Sequence, residues 1–272
     1  MRRFSIRMQP TTTTATRRFA PLGKPFAADV QARKLEGVVF DVDGTLCEPQ
    51  TYMFSEMRSA LGIPRSRDIL EHVYSLPSPT EQHEAMEAIR SIERTAMVNQ
   101  VAQPGLERLM AYLDAHKIRK GICTRNFDAP VHNLLSKFLE GSLFHPIVTR
   151  DFRPPKPDPA GILHIARSWG LVHPSKGEAG LPDAGSEGHK PASGQAGLDQ
   201  LVETQAGESV ADASGLIMVG DSIDDMTAGH RAGAKTVLLV NDVNRDLVDH
   251  EHTDAVISRL DELIELLENG LI

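Results

Sequence analysis

Five short apolar runs recur along the chain, over residues 37–40, 120–123, 146–148, 216–219 and 236–240, and each gives way to polar loop residues. Short runs without polar alternation suit strands buried on both faces. Between them apolar residues recur at the helical spacing. Residues 105–116 put Leu106, Leu109, Met110 and Leu113 on one face, and 158–169 do the same with Ile162, Leu163 and Ile165. Two further helical patterns cover 225–232 and 261–267. Strands alternating with helices predict an α/β fold, a Rossmann-like parallel sheet with flanking helices.

The alternation lapses between the first two runs. Residues 47–103 read only as helices, over 53–61, 67–75 and 80–101, punctuated by Pro64, Pro77, Pro79 and Pro104. The pattern predicts a small all-helical cap (47–103) inserted after the first strand of a core made of 29–46 and 104–272. Ligands of open α/β sheets bind beyond the carboxyl ends of the strands, so a module inserted there sits over the site.

Charge and composition change the picture at the two irregular segments. The formal charge is -8, from 29 Lys+Arg and 37 Asp+Glu. Residues 1–28 carry Arg2, Arg3, Arg7, Arg17, Arg18 and Lys24 and no acid, so a basic tail of +6 precedes a remainder of -14. Such a tail reads as a mitochondrial transit peptide, as a disordered extension, or as the result of a start at Met8; the expected location is cytoplasmic or mitochondrial. Residues 173–213 hold 7 Gly, 3 Pro and 4 Ser and no aromatic residue, which predicts a disordered surface insertion. The acidic balance argues against a nucleic-acid partner, whose affinity comes from cations set against phosphates. No apolar stretch approaches the ~18 residues of a membrane span. Two cysteines, Cys47 and Cys123, are too few for a disulfide scaffold or a Cys-rich zinc module. They read as small buried hydrophobes.

The candidate chemistry sits where the apolar runs end. Asp41-Val42-Asp43-Gly44-Thr45-Leu46 follows the first run, and alternation puts Asp41 and Asp43 on the same side of an extended backbone. Two such carboxylates repel and need a cation or a shared proton. Gly220-Asp221-Ser222-Ile223-Asp224-Asp225 follows the fourth run. Three or more carboxylates at neighbouring strand ends form a hard oxygen site that suits Mg²⁺ holding a phosphate. Thr124 after the second run offers a hydroxyl, and Lys156 after the third offers a point charge suited to phosphate.

These four elements, DVDGTL, ICTRN, PPKPDP and GDSIDD in this order, resemble the haloacid dehalogenase superfamily. The stretch from Gly220 to Gly233 is most similar to its phosphoglycolate-phosphatase-like branch, and the chain is similar to uncharacterised fungal members. The resemblance implies a Mg²⁺-dependent phosphatase acting on a small phosphorylated metabolite. Asp41 would be the nucleophile that forms an aspartyl-phosphate, and Asp43 the general acid and base. Mg²⁺ would be bound by Asp41, the Asp43 carbonyl and Asp221, with Asp225 ordering a metal water or orienting Lys156. Thr124 and Lys156 would hold the phosphoryl group, with Arg125 and Asn126 as further phosphate-binding candidates. Many relatives have Asn directly after the hydroxyl residue. Arg125 takes that place here, and it either reaches an anionic substrate or pairs with an acid of the cap. Tyr52, Phe54, Arg58 and Arg65 are candidates for substrate contact. Asp43 favours phosphoryl transfer over carbon–halogen cleavage, because a leaving alkoxide needs a proton and a halide does not. The alternatives are a sugar-phosphate mutase using the same aspartyl-phosphate, and a non-catalytic binding protein on this fold.

Overall fold

The first apolar run forms a strand, β1 (Gly37–Phe40), with all four residues buried. In the computed structural model, which describes residues 33–50, 52–174 and 209–271 together with Phe19 and Leu22, it is followed in chain order by β2 (Arg119–Cys123), β3 (Ile147–Val148), β4 (Val172–Pro174), β5 (Ser209–Ala211), β6 (Leu216–Gly220), β7 (Lys235–Leu239) and β8 (Ala255–Ile257). Six of these form one sheet in the order β3-β2-β1-β6-β7-β8, with every pairing parallel. β4 and β5 pair antiparallel as a separate ribbon.

The sheet is covered on both faces, as the unbroken apolar runs require. Val38 and Phe40 join a cluster with Ile122, Ile217, Val219 and Val237, whereas Val39 joins a second with Cys123, Leu216 and Met218. The first face packs against α4 (Leu106–Ala115), α5 (Asp128–Phe138) and α8 (Leu263–Asn269), through Leu109, Leu113, Leu134 and Leu263. The second packs against α6 (Ala160–Ser168) and α7 (Ile223–Ala232), through Ile162, Ile165 and Ala228.

Three helices intervene between β1 and α4: α1 (Tyr52–Leu61), α2 (Ile69–Ser75) and α3 (Pro79–Val98). They enclose a small core of their own, built on Met53, Met57, Val73, Ile89 and Ala96. Local chemistry sets their starts. Asp68 caps α2 by accepting from the Glu71 N–H at 2.9 Å. Ser78 and Glu81 form a reciprocal capping box on α3, with Pro79 in the first turn where no N–H is needed. The two connections to the sheet run side by side: the Glu48 N–H donates to the Val101 carbonyl at 2.9 Å, and Cys47 bridges to Ala102.

The structure departs from the sequence expectations in four places. Helix α5 was not anticipated, although Val131, Leu134, Leu135 and Phe138 recur at helical spacing; Pro130 masks the pattern but falls in the first turn, where it is tolerated. The edge strand β8 was not anticipated either, although its three apolar residues make a run as long as 146–148. Phe19 lies inside the segment expected to be a disordered tail, yet it is buried and its N–H donates to the Leu271 carbonyl at 3.2 Å. The expected disordered insertion over 173–213 is ordered at both margins, where His173 and Pro174 pair with Val210 and Ser209 and where Ala213 is buried. The rest of that segment, and the remainder of the basic tail with its targeting expectation, lie outside the described residues. Among the described residues no helix is long and apolar enough to cross a membrane.

Leu113 is fully buried in the first cluster, whereas Leu143 is 76% exposed. Leu113→Ala is therefore expected to lower unfolding stability by about 2–5 kcal/mol, and Leu143→Ala by less than about 0.5 kcal/mol, in denaturant melts followed by circular dichroism.

Candidate active site

The sheet register brings the sequence motifs together. Phe40 pairs with Ile122 of β2 on one side and Val219 of β6 on the other. Asp41 directly beyond Phe40, Thr124 beyond β2 and Asp221 beyond β6 therefore emerge at one edge of the sheet, at the point where the strand order reverses. The Asp41 N–H still donates to the Val219 carbonyl at 3.0 Å, which fixes the backbone as the chain leaves the sheet. Gly44 then turns the chain with φ +79°, and a Cβ there would lie 2.1 Å from Asp221 Oδ2. Only glycine satisfies both demands. The Gly44 carbonyl is held by Gln103 Nε2 at 2.8 Å.

Lys156 closes this cluster from beneath. It is 5% exposed, and its ammonium donates to Asp41 Oδ1 at 2.7 Å and to Asp225 Oδ1. Burial alone would push the Lys156 pKa down, but the charges of Asp225 and Asp41 outweigh it and raise the pKa above its ordinary value. The second oxygen of Asp225 caps α7, accepting from the Ser222 hydroxyl at 2.6 Å and the Ser222 N–H at 3.1 Å. Both Asp225 oxygens are thus engaged, so this residue fits orientation of Lys156 better than direct cation ligation.

The remaining carboxylates are under-compensated. Burial, then the charges of Asp225 and Asp41, push the Asp221 carboxyl up to about 8. Asp41 is pushed up to about 7, chiefly by burial, with Lys156 opposing. Single oxygens of Asp41, Asp221 and Asp225 all lie within 4.8 Å of one another. Hard oxygen donors crowded in this way, with Asp41 and Asp221 held above the ordinary carboxylate range by burial and neighbouring negative charge, fit a divalent cation such as Mg²⁺. Asn241 Nδ2 donates to Asp221 Oδ2 at 3.3 Å and Asn244 Nδ2 to the Asp221 carbonyl at 2.7 Å, so the loop after β7 fixes the position of Asp221.

Asp43 lines the same cavity and accepts from Asn126 Nδ2 at 2.7 Å, while the Cys47 thiol approaches its other oxygen at 3.5 Å. Burial raises the Asp43 pKa, against the opposing hydrogen bond from Asn126. Asn126 was a phosphate-binding candidate; the structure engages its amide with Asp43 instead. Thr124 is buried and its hydroxyl accepts from the Asn126 N–H at 3.2 Å, which leaves its own proton free to donate. Cys47 and Cys123 are both buried, and burial pushes the Cys123 thiol up to about 12 and the Cys47 thiol higher still. Neither is a reactive thiolate.

Arg125 resolves the alternative left open by the sequence. Its Nη1 donates to Asp224 at 2.6 Å and its Nη2 to Asp68, the residue that caps α2. It pairs with acids of the core and of the helical insertion rather than standing free for phosphate. Sequence reasoning missed Arg150 and Glu93. Arg150, on the loop after β3, is 1% exposed, pairs with Glu93 of α3, and lies over the Phe127 ring at 5.0 Å. Its position just beyond a strand end was the available signal. Glu93 gave none, being one of several acids along α3. Insertion and sheet edge together enclose a cavity of about 260 Å³, lined by Asp41, Asp43, Thr124, Lys156 and Asp221 on one side and by Met53, Phe54, Met57, Arg58, Leu70 and Ile89 on the other.

Comparison with known proteins follows the same lines. A family model described as HAD-hydrolase-like matches residues 198–263. The chain is 39% identical over 242 residues to a Saccharomyces cerevisiae protein called uncharacterized hydrolase YOR131C, covering 87% of this chain and 93% of that one. It is 31% identical over 217 residues to the Arabidopsis thaliana haloacid dehalogenase-like hydrolase domain-containing protein At2g33255, covering 76% and 71%. Among solved structures, a putative phosphoglycolate phosphatase from Lactobacillus plantarum superposes with TM-score 0.58 at 16% identity, over 86% of this chain and all of that one, which is a likeness of fold.

The raised carboxyl pKa values give the cation a measurable signature. In the unfolded chain Asp41 and Asp221 ionise near 3.8, and in the metal-free fold near 7 and 8. Between these limits the folded state holds more protons than the unfolded state, so stability falls as pH rises. A cation that binds the deprotonated carboxylates reverses that loss. Adding Mg²⁺ at 100 times its Kd to chelator-treated protein at pH 8 is expected to stabilise it by about 2.7 kcal/mol, raising Tm by roughly 5–10 °C. The shift should shrink at pH 5.5 and vanish in Asp221→Asn. A Tm indifferent to Mg²⁺ at pH 8 contradicts the metal reading.

Proposed function

Because the chain belongs to the haloacid dehalogenase-like hydrolases, we propose that it is a Mg²⁺-dependent phosphatase that releases inorganic phosphate from a small phosphorylated metabolite through an aspartyl-phosphate at Asp41. The observation that carries this reading is Asp43. It is a second carboxyl beside Asp41 in the same cavity, held by Asn126 at 2.7 Å and with its pKa raised by burial. A second carboxyl placed to give and take a proton beside the nucleophile is what an alkoxide leaving group requires.

In the proposed reaction a carboxylate oxygen of Asp41 attacks phosphorus and the bond to the leaving oxygen breaks, with Asp43 giving that oxygen its proton. Asp43 then takes a proton from a water that attacks the aspartyl-phosphate, which frees phosphate and restores both carboxyls. Lys156 favours the ionised form of Asp41, since its charge opposes the burial that raises the Asp41 pKa. The Thr124 hydroxyl and the Lys156 ammonium face the transferring group and offset charge on its oxygens. Asp41, Asp221 and the Asp43 carbonyl would hold Mg²⁺, which when bound supplies Lewis-acid compensation of phosphoryl charge. Asn126 serves by orienting Asp43. The helical insertion acts as a cap: it walls the cavity opposite these groups and would set which substrate fits.

The purified protein is expected to release phosphate from members of a broad phosphomonoester panel only with Mg²⁺ present, and Asp41→Asn to lower the rate by roughly a thousandfold or more. Wild-type rates in Asp41→Asn would overturn the proposal. Isomer interconversion without net phosphate release would place the chain among mutases instead.

A further inference from the structure

One buried ion pair on the cavity wall has no place in the reaction proposed above. Glu93 belongs to the buried stripe of α3, with Ile89 four residues before it and Ala96 three residues after. A carboxylate at such a position needs a partner. It finds Arg150, two residues beyond the end of β3, and both side chains are almost wholly buried. The pairing is incomplete. Among the described residues, Arg150 Nε and Glu93 Oε2 are buried without a hydrogen-bond partner, and Arg150 Nη1 reaches only the Met86 thioether at 3.5 Å, a weak acceptor. Replacing a buried ion pair with apolar side chains is often neutral or stabilising. Stability alone therefore does not account for this pair.

Its neighbours tie it to Asp43. Beyond their paired residues the chains leaving β2 and β3 still run side by side: the Thr124 N–H donates to the Val148 carbonyl at 2.9 Å, and the Arg150 N–H to the Asn126 carbonyl at 2.8 Å. The Arg150 guanidinium lies 5.0 Å from the centroid of the Phe127 ring, which Arg90 of α3 also approaches at 6.0 Å. Arg150 thus holds residue 126 through its backbone and residue 127 through its side chain. Asn126 Nδ2 in turn donates to Asp43 Oδ2 at 2.7 Å. The guanidinium is also close enough for its charge to be felt at Asp43. Asp43, Asn126, Arg150 and Glu93 all line the same cavity.

We propose that Arg150, held by Glu93, is a positioning residue that fixes the Asn126–Phe127 segment and thereby aims the Asp43 carboxyl at the leaving oxygen of the substrate. The proposal rests on the phosphatase reading above and adds two residues to it. Arg150 touches no reacting atom in this role. In the step concerned the bond between phosphorus and the leaving oxygen breaks, and the Asp43 carboxyl proton passes to that oxygen. A misplaced donor slows this transfer steeply. The penalty is greatest for an alkoxide and small for a nitrophenolate, which leaves as a stable anion. Removing a pair whose role was only structural would slow all esters alike.

The test measures kcat/KM in Mg²⁺ for wild type, for Arg150→Gln and for the double variant Arg150→Met with Glu93→Leu, on ethyl phosphate, trifluoroethyl phosphate and p-nitrophenyl phosphate. This parameter covers the steps through formation of the aspartyl-phosphate, so it reports proton donation apart from later hydrolysis. Arg150→Gln strands a buried carboxylate and is expected to lower Tm. The double variant removes both charges, keeps the junction apolar, and should melt within about 5 °C of wild type; should Arg150→Gln not fold, the double variant alone decides. In each variant the loss on ethyl phosphate should exceed that on p-nitrophenyl phosphate roughly 10- to 100-fold, with trifluoroethyl phosphate between them. The two ethyl esters are close in size, so this order follows leaving-group acidity and not fit. An equal loss on all three esters, or wild-type rates in the double variant, overturns the proposal and leaves the phosphatase reading intact. No Mg²⁺-dependent phosphate release by wild type from any phosphomonoester overturns that reading and the proposal with it.

Discussion

The Lys156 ammonium, buried between Asp41 and Asp225, is the contact on which the rest of the site depends. A parallel sheet with β1 beside β6 delivers Asp41 and Asp221 to neighbouring positions, and the turn after β6 brings Asp225 behind them. Carboxylates placed so closely out of water oppose folding, and removing one partner of a buried ion pair costs about 3–5 kcal/mol. Lys156 relieves part of this. It leaves Asp41 and Asp221 with pKa values near 7 and 8. The strained charge state of the sheet edge and its capacity for a divalent cation are therefore one property. Gly44 shows how tightly the arrangement is drawn, because a single added carbon would collide with Asp221.

The second organising feature is the junction between the helical insertion and the sheet edge. Two ion pairs cross it, Arg125 with Asp68 and Arg150 with Glu93. Each joins a residue beyond a strand end to a residue of the insertion. Arg125 also holds Asp224, so one side chain ties α2, the loop after β2 and the start of α7 together. These pairs, with those of Lys156, occupy most of the positive charge in the cavity wall. The backbone N–H of Arg150 donates to the Asn126 carbonyl at 2.8 Å, and the Asn126 side chain holds Asp43. The docking of the insertion and the orientation of the proposed general acid thus share one chain of contacts.

Much of this was legible in the sequence because the physics involved is local. Unbroken apolar runs mark buried parallel strands, and the acids follow those runs directly, so Asp41, Asp43, Thr124, Lys156 and Asp221 were visible as a set of strand-end residues. What escaped depends on distant partners or on weak local signals. Pro130 disguised α5. Phe19 sat in a stretch whose basic composition read as a tail. The pairing of Arg150 with Glu93 joins residues 57 positions apart, and nothing local to either says so. Arg125 and Asn126 were visible as candidates, but their roles were set by Asp68, Asp224 and Asp43, which reach them from other elements.

The central claim is that the carboxylate gripped by Lys156 accepts the phosphoryl group. It is tested most directly by quenching a single turnover of radiolabelled phosphomonoester in acid and mapping the label. The account predicts a hydroxylamine-labile phosphate on the peptide that contains Asp41, appearing before free phosphate and decaying into it. Complete substrate turnover with the label on another residue, or with no enzyme-bound label at any time in wild type or in Asp43→Asn, where hydrolysis of the intermediate should be slowed, would contradict it.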